Sequence, residues 1–548
     1  MISHSGTRKA APETYAKKTT FLYILIITLV ILFLSTKGIT DEGTVSLNGD
    51  MPRHMMNGAY FHDLIRDFPI GHPIEYTQHY FAKYPALSLG HHSLSLAVTE
   101  GVFYQIFGIS VFTARLTILF FAIVGGVSLF LLVRSISDEI TAFISALLYV
   151  STPFIVDYSR LVMSEIPGLS LLILATYFFY RFTATGRNAY ATLFGITFLF
   201  AILGRQQLVF MVPAYVGYFI ISKGTKNIVT RKSFLLCLVF ALMMVPIVVI
   251  TLKYAQSNVI WILSNILTSR LDIDHHIKIL YKHHLTLPVF VFSSIGLCTC
   301  YLRKNKSELL LVFWIICSYL LITVIGAQAP RYGIYWIPPL CFFAASVILS
   351  IRSRPIKFTV SITLLAVIIF QGMTTFHSEP EYASGYEEAG RFVVENKVGT
   401  SVLYSSDIDT GYFVFFVRKH DAAKKMVVLR ADKLLATSRY DRIIEERISD
   451  RKEIYDLLED YGVGYVVLED KEYKSTSLQW LREEVKSDRF LLRKRVPIQS
   501  SRRTLQNETL AIYEYKGHTH PKAGKLLTIK IPLIKTVLNI PFDELLEE

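Results

Sequence analysis

Cysteine is scarce in this chain. The five present, Cys237, Cys298, Cys300, Cys317 and Cys341, all fall inside apolar runs. Cys298 and Cys300 are separated by one residue, which is not a zinc-ribbon spacing, and no disulfide framework is on offer. No histidine pair has the H-E-x-x-H arrangement of a zinc peptidase. Internal repeats and low-complexity tracts are also missing. Charged residues are only 18% of the chain, against 52% hydrophobic. Together these shortages exclude a disulfide-stapled secreted module and a repeat protein, and they disfavour an ordinary soluble enzyme.

Long apolar runs, by contrast, are abundant. The chain has 548 residues and a mean hydropathy of +0.40. Its 37 Phe and 31 Tyr suit helices anchored at lipid–water boundaries. A membrane helix needs roughly 20 apolar residues, and about eleven runs qualify: 20–36, 112–133, 139–156, 164–181, 189–204, 207–222, 233–252, 286–302, 308–326, 333–350 and 356–373. Arg8, Lys9, Lys17 and Lys18 precede the first, and no small-residue cleavage site follows it, so it reads as an uncleaved span.

The net charge of +13 is explained by topology rather than by nucleic acid. With the N-terminus cytoplasmic, short loops on that side hold Arg134; Arg181 and Arg187; Lys223 to Lys232; Arg303 to Lys306; and Arg352 to Lys357. Three larger pieces then fall outside: residues 37–111, 253–285 and everything from about 374. The expected division is a cytoplasmic N-terminus over 1–19, an all-α polytopic membrane bundle over 20–373, and a small periplasmic α/β domain over 374–548. In that tail Thr400–Ser405, Met426–Leu429 and Val463–Leu468 are β-rich, Arg451–Tyr461 and Ser477–Val485 are helical, and the alternation around Ile529–Ile540 adds strands. No glycine-rich phosphate loop sits at its strand ends, so positioning or acceptor binding is its expected role.

An outer loop as long as 37–111 implies a function. It carries Asp41, Glu42, Asp50, Arg53, Asp63, Lys83 and six histidines: His54, His62, His72, His79, His91 and His92. Gly49-Asp50-Met51-Pro52-Arg53-His54 resembles the first-loop motif of GT-C fold glycosyltransferases, in which an Asp starts an amphipathic helix outside the first span. Tyr80-Phe81-Ala82-Lys83-Tyr84-Pro85 resembles their Phe-x-Lys-Pro-Pro stretch. Phe107-Gly108 through Arg115-Leu116 resembles the start of their second span. Tyr158-Ser159-Arg160 to Glu165-Ile166-Pro167 resembles their second acidic position, and Ala329-Pro330-Arg331-Tyr332 the Arg-Tyr of a late span. The pattern is most similar to lipid A aminoarabinose transferases and protein O-mannosyltransferases, over residues 15–375.

The resemblance implies a multi-pass bacterial inner-membrane enzyme. It would move a sugar from a polyprenyl-phosphate donor to a hydroxyl or phosphate acceptor on a lipid, glycan or protein, with inversion. A hydroxyl is a poor nucleophile until a base takes its proton. Asp50, held partly out of water with a raised pKa, is the candidate base, with Glu165 as a second acid. Asp41-Glu42 is the rival, because it lies nearer the first span. Negative charge developing on the leaving phosphate needs fixed cations, for which Arg53, Lys83, Arg205 and Arg331, with Tyr332, are the candidates. The resemblance also raises a divalent metal, with His91, His275 and His276 as candidate ligands, although Ala82 stands where the family's ligand Glu would be. Each of these residues has a structural alternative: Asp50 as a surface acid, Glu165 as a helix-start acid favoured by the dipole, Arg331 as a headgroup anchor. A transporter or flippase, or a non-catalytic scaffold for the tail, are the competing readings.

Overall fold

The computed structural model describes residues 13–45, 50–89, 93–223, 273–326, 329–379, 381–405, 410–438, 444–469, 474–501, 508–531 and 536–547, with Val245 and Ser264. Among the described residues, six helices are long and apolar enough to cross a membrane: Lys18–Ser35, Val111–Ile136, Glu165–Thr185, Lys306–Ile325, Pro330–Ser350 and Arg354–His377. Each coincides with an expected run. The run at 139–156 is a pair of helices, Glu139–Ser151 and Pro153–Ser159, bent by 62°. The bend falls at Pro153, whose ring and missing N–H interrupt the helical ladder. The runs at 189–204, 207–222 and 286–302 are the shorter apolar helices Asn188–Gly204, Gln206–Ser222 and Leu287–Arg303. The run at 233–252 lies outside the described residues, apart from Val245.

The first outer loop is itself helical. After α1 (Glu13–Ser35) come α2 (Met51–Asp67), α3 (Pro73–Lys83) and α4 (Leu94–Phe107), then α5 (Val111–Ile136). Helix α2 starts because Asp50 is its N-cap and Pro52 sits in the first turn, where a missing N–H costs nothing. It ends where Phe68 turns left-handed ahead of Pro69. Met51, Met55, Met56, Ala59, Tyr60 and Asp63 form its buried face. Close packing of α2 on α4 depends on two reciprocal glycines. A Cβ on Gly58 would lie 2.7 Å from Glu100 Cβ, and one on Gly101 would lie 2.7 Å from Phe61 Cβ.

The chain continues through α6 (Glu139–Ser151), α7 (Pro153–Ser159), α8 (Glu165–Thr185), α9 (Asn188–Gly204) and α10 (Met211–Lys223). Arg160, just beyond α7, ties three segments together through the carbonyls of Leu34 (2.7 Å) and Thr375 (3.2 Å).

The tail forms a five-stranded sheet in the order β2-β1-β5-β7-β6. β1 (Ser401–Ser405), β2 (Val427–Arg430) and β5 (Val463–Glu469) run parallel, and β7 (Thr509–Tyr515) pairs antiparallel with both β5 and β6 (Phe490–Pro497). A short β3–β4 ribbon (Ala436–Ser438 with Ile444–Glu446) and a β8–β9 hairpin (Leu526–Ile531 with Thr536–Pro541) complete it. β1 and β5 are buried along their whole length, as expected of parallel strands covered on both faces.

This sheet domain docks on the first outer loop. The buried helix Thr410–His420 carries Arg418, whose Nε and Nη2 donate to the two carboxylate oxygens of Asp63 on α2 at 2.8 and 2.5 Å. Tyr80 of α3 donates to the same carboxylate at 2.8 Å. Lys419 reaches Glu42 (2.6 Å), and Arg430 donates to the Pro85 carbonyl (3.0 Å).

Candidate functional site

The group of interest assembles where α2, α8, α9 and the turn that opens the Pro330–Ser350 span meet. Asp50 is the N-cap of α2, yet its side chain makes no capping bond. It is turned instead to Arg331, whose Nη1 donates to Oδ2 at 2.9 Å. Arg331 stands in the 3-10 turn Pro330–Trp336, with its guanidinium 5.4 Å from the ring centre of Tyr332. A planar guanidinium over an aromatic face is held in orientation without losing its donors.

Glu165 is the first residue of α8 and is fully buried. Arg205, at the C-terminal end of α9, donates from Nη2 to Glu165 Oε1 at 2.5 Å and from Nε to the Tyr335 hydroxyl at 3.0 Å. Gln207 donates to the same hydroxyl at 3.0 Å. Space for Arg205 is provided by Gly168, where an added Cβ would lie 2.8 Å from Arg205 Cγ. His54, one turn after Asp50, is buried among these charges. Burial pushes its imidazole down to about 3, reinforced by Arg205, Arg331 and Arg53 and only partly opposed by Asp50. Asp50, Arg53, His54, Glu165, Arg205, Arg331 and Tyr332 therefore lie together at one end of the bundle.

The raised pKa expected of Asp50 is not what the geometry gives. Burial does push it up, but the hydrogen bond and charge of Arg331, with the charge of Arg53, outweigh burial and hold the carboxyl below its ordinary value. Asp50 is consequently ionised at neutral pH.

Of the rival acids, Glu42 has other work. Both oxygens of Glu42 accept the first backbone N–H groups of α5, from Val111 (3.2 Å) and Phe112 (2.8 Å), and Lys419 pairs with it. The Asp41 carbonyl accepts from Arg115 at 2.9 Å, as do those of Gly38 and Thr44. Lys83 is drawn away from the Asp50 group: its buried ammonium donates to the Leu545 carbonyl at 2.5 Å.

Of the histidines named as candidate metal ligands, the structure describes His275 and His276. His275 and His276 pack edge to face, and His276 also lies against Tyr319 and Trp336. Among the described residues, neither belongs to a group of three metal-ligating side chains. His91 lies outside the described residues. His284 accepts from Trp336 Nε1 at 2.9 Å through Nδ1 and bonds the Pro330 carbonyl at 2.7 Å through Nε2, so it fixes the turn that carries Arg331.

Sequence reasoning missed Tyr335, His54 and a contribution from the tail. Lys433 lies within electrostatic reach of Arg53; burial, together with Arg430, Arg447 and Arg53, lowers its pKa. His54 could have been found from its i, i+4 spacing to Asp50. Nothing local marks the other two.

Residues 91–250 match the family described as dolichyl-phosphate-mannose-protein mannosyltransferase. No curated protein matches the sequence. Among solved structures, ArnT from Cupriavidus metallidurans bound to undecaprenyl phosphate superposes with a TM-score of 0.59, at 12% identity, over 91% of this chain and 98% of that one. The chain has the GT-C fold. Two further GT-C structures agree. The archaeal oligosaccharyltransferase AglB from Archaeoglobus fulgidus, in complex with an inhibitory peptide and a dolichol-phosphate, gives 0.51 at 14% identity, over 83% of this chain and 70% of that one. The arabinofuranosyltransferase AftD from Mycobacteria gives 0.52 at 12%, over 94% of this chain and 41% of that one. The match to ArnT spans nearly its full length, so the GT-C likeness extends beyond the membrane helices.

Proposed function

We propose that the chain is a membrane glycosyltransferase that moves a sugar from a polyprenyl-phosphate donor to a hydroxyl or phosphate acceptor on the extracytoplasmic face, with inversion at the anomeric carbon. The observation that carries this reading is the convergence of Asp50 and Glu165 with Arg205 and Arg331 at one end of an apolar bundle of GT-C fold. Two of the neighbouring folds are an oligosaccharyltransferase, with a dolichol-phosphate bound, and an arabinofuranosyltransferase, and ArnT has undecaprenyl phosphate bound.

In this reading the acceptor oxygen attacks the anomeric carbon from the face opposite the phosphate. The bond from that carbon to the phosphate oxygen breaks, and the polyprenyl phosphate leaves with the electron pair. For a hydroxyl acceptor, the proton passes to Asp50. An ionised Asp50 is a modest base, but it is fully in the accepting form at neutral pH, and a positioned base contributes about 10²- to 10⁴-fold. Arg331 and Arg205 receive the phosphate oxygens, with Arg53 beside them. Guanidinium forks suit this, giving two parallel charge-assisted bonds to one phosphate. Glu165, held by Arg205, keeps that guanidinium aimed. Neutral His54 fills the wall behind Asp50 without adding a positive charge of its own.

The N-terminus is assigned to the cytoplasm of a bacterial inner membrane and the sheet domain to the periplasm, where it covers the first outer loop. Supplying the purified chain with a panel of undecaprenyl-phosphate sugars and a membrane lipid extract tests the reading. Release of lipid phosphate is expected. No release from any donor would shift preference to a transporter of a lipid-linked substrate.

A further inference from the structure

The first outer loop and the last residues of the chain meet at side chains that the transfer chemistry does not use. Helix α3 carries Glu75 and His79 one turn apart on one face, and Glu544 opens the terminal helix Glu544–Glu547. One donor atom from each, the imidazole nitrogen of His79 and a carboxylate oxygen of each glutamate, lies within 4.8 Å of the other two. His79 Nε2 and Glu544 Oε2 are 3.5 Å apart. That is close to the edge of a tetrahedron of ligands about a zinc ion, roughly 3.3 Å for bonds of ~2.0–2.1 Å. The imidazole is fixed, with its side chain 9% exposed, whereas Glu75 and Glu544 are 59% and 49% exposed and can rotate inward. All three border a cleft of 560 Å³ that also includes Asn539 and Pro541.

The donor set decides the ion. An imidazole argues against magnesium and calcium, which prefer all-oxygen shells. One imidazole with two carboxylates, and room for a water on the cleft side, suits a first-row divalent ion of the zinc type. We propose that Glu75, His79 and Glu544 bind such an ion and thereby fasten the end of the chain to α3. This set is separate from the histidines His91, His275 and His276, and it does not depend on the transferase reading.

The surroundings show what the ion would fasten. Lys83, one turn along α3 from His79, donates to the Leu545 carbonyl. Phe542 and Leu545 are completely buried, and the Phe542 N–H bonds the Lys525 carbonyl at 2.8 Å at the base of the β8–β9 hairpin. Without an ion, the link between Glu544 and His79 is a 3.5 Å contact to a half-exposed carboxylate, which contributes little. With one, the free energy of metal binding becomes folding free energy of the hairpin and the terminal helix.

The test uses the full chain in nanodiscs, stripped with a chelator and titrated with zinc alone. The expected result is one zinc per chain at this site, with an X-ray absorption spectrum of one imidazole among oxygen ligands. Glu544→Gln and Glu75→Gln, both at exposed side chains and so safe for folding, should each weaken binding by roughly tenfold or more. Zinc should slow amide exchange across residues 526–547 in the wild type and not in Glu544→Gln. Zinc affinity and exchange protection unchanged by both substitutions would overturn the proposal, as would a spectrum with two or more imidazoles or no binding at micromolar zinc.

Discussion

Arg331 donates to Asp50 at 2.9 Å across 281 residues of sequence. The contact joins the first outer loop to a late span, and it sets the protonation state of the acid. Asp50 has its pKa lowered in the folded chain, chiefly because Arg331 outweighs burial. A depressed carboxyl keeps its charge throughout the neutral range and loses it only as pH falls through the depressed value.

Removing Arg331 should therefore do two things at once. In Arg331→Ala, burial is left as the largest influence on Asp50, so the acid limb of the kcat/KM profile moves to higher pH. Donor affinity falls by roughly one to two orders of magnitude, the size of a charge-assisted hydrogen bond. A pH–rate series with equilibrium donor binding measures both. Unchanged donor affinity would remove Arg331 from the phosphate site.

Gly168→Val tests the space that Arg205 occupies. A Cβ there meets Arg205 Cγ at 2.8 Å, and a branched side chain leaves no room for the guanidinium to reach Glu165. Donor affinity should fall about as far as in Arg205→Ala, with thermal stability lowered by only about 1–3 kcal/mol, the usual cost of overpacking. Parallel donor-binding curves for the two variants check this; wild-type affinity in Gly168→Val would show that Arg205 is not needed in its observed position.

Arg418→Met addresses the seating of the sheet domain. Asp63 and Arg418 are both almost completely buried, and stripping one partner from a buried pair costs about 3–5 kcal/mol. Asp63 is pushed well below the ordinary carboxylate range, burial being overcome by His62, Arg418 and Tyr80. The sign follows: the pair's contribution is complete above the unfolded carboxylate pKa and is lost as pH falls toward the folded value. Unfolding at pH 7 should show the loss in full, and the gap between wild type and variant should narrow in strong acid.

A reporter fused after Glu548 should be active only outside the cytoplasm. Cytoplasmic activity would reverse the orientation assigned from the Lys/Arg distribution.

Much of the architecture could be read from the chain because hydropathy and periodicity are local. The six long helices and the tail strands β1, β2 and β5 fall where apolar runs predict them. Length was less legible: three of the expected runs are the helices Asn188–Gly204, Gln206–Ser222 and Leu287–Arg303, too short to qualify as spans by length, because composition alone does not show where a helix stops. The helix Thr410–His420 escaped notice since Tyr412–Val417 is apolar at every position. Burial on all sides erases the 3.6-residue period that would have marked it. At the site, Asp50, Arg53, Glu165 and Arg331 were singled out from motif order, and Arg205 from the set of cations available to a phosphate. Tyr335 was not, because its role depends on a contact 130 residues away. The direction of the Asp50 shift was also beyond reach, since it depends on which of burial and Arg331 prevails.

The central claim is that Asp50 serves a transfer from a lipid-phosphate donor. Its most direct test is donor turnover by the wild type and Asp50→Asn, purified side by side in nanodiscs and given undecaprenyl-phosphate sugars with a membrane lipid extract. The account predicts release of lipid phosphate by the wild type, and a loss of about 10²-fold or more in Asp50→Asn while donor binding persists. Equal release by both proteins would contradict it and move the base to Glu165, Asp41 or Glu42.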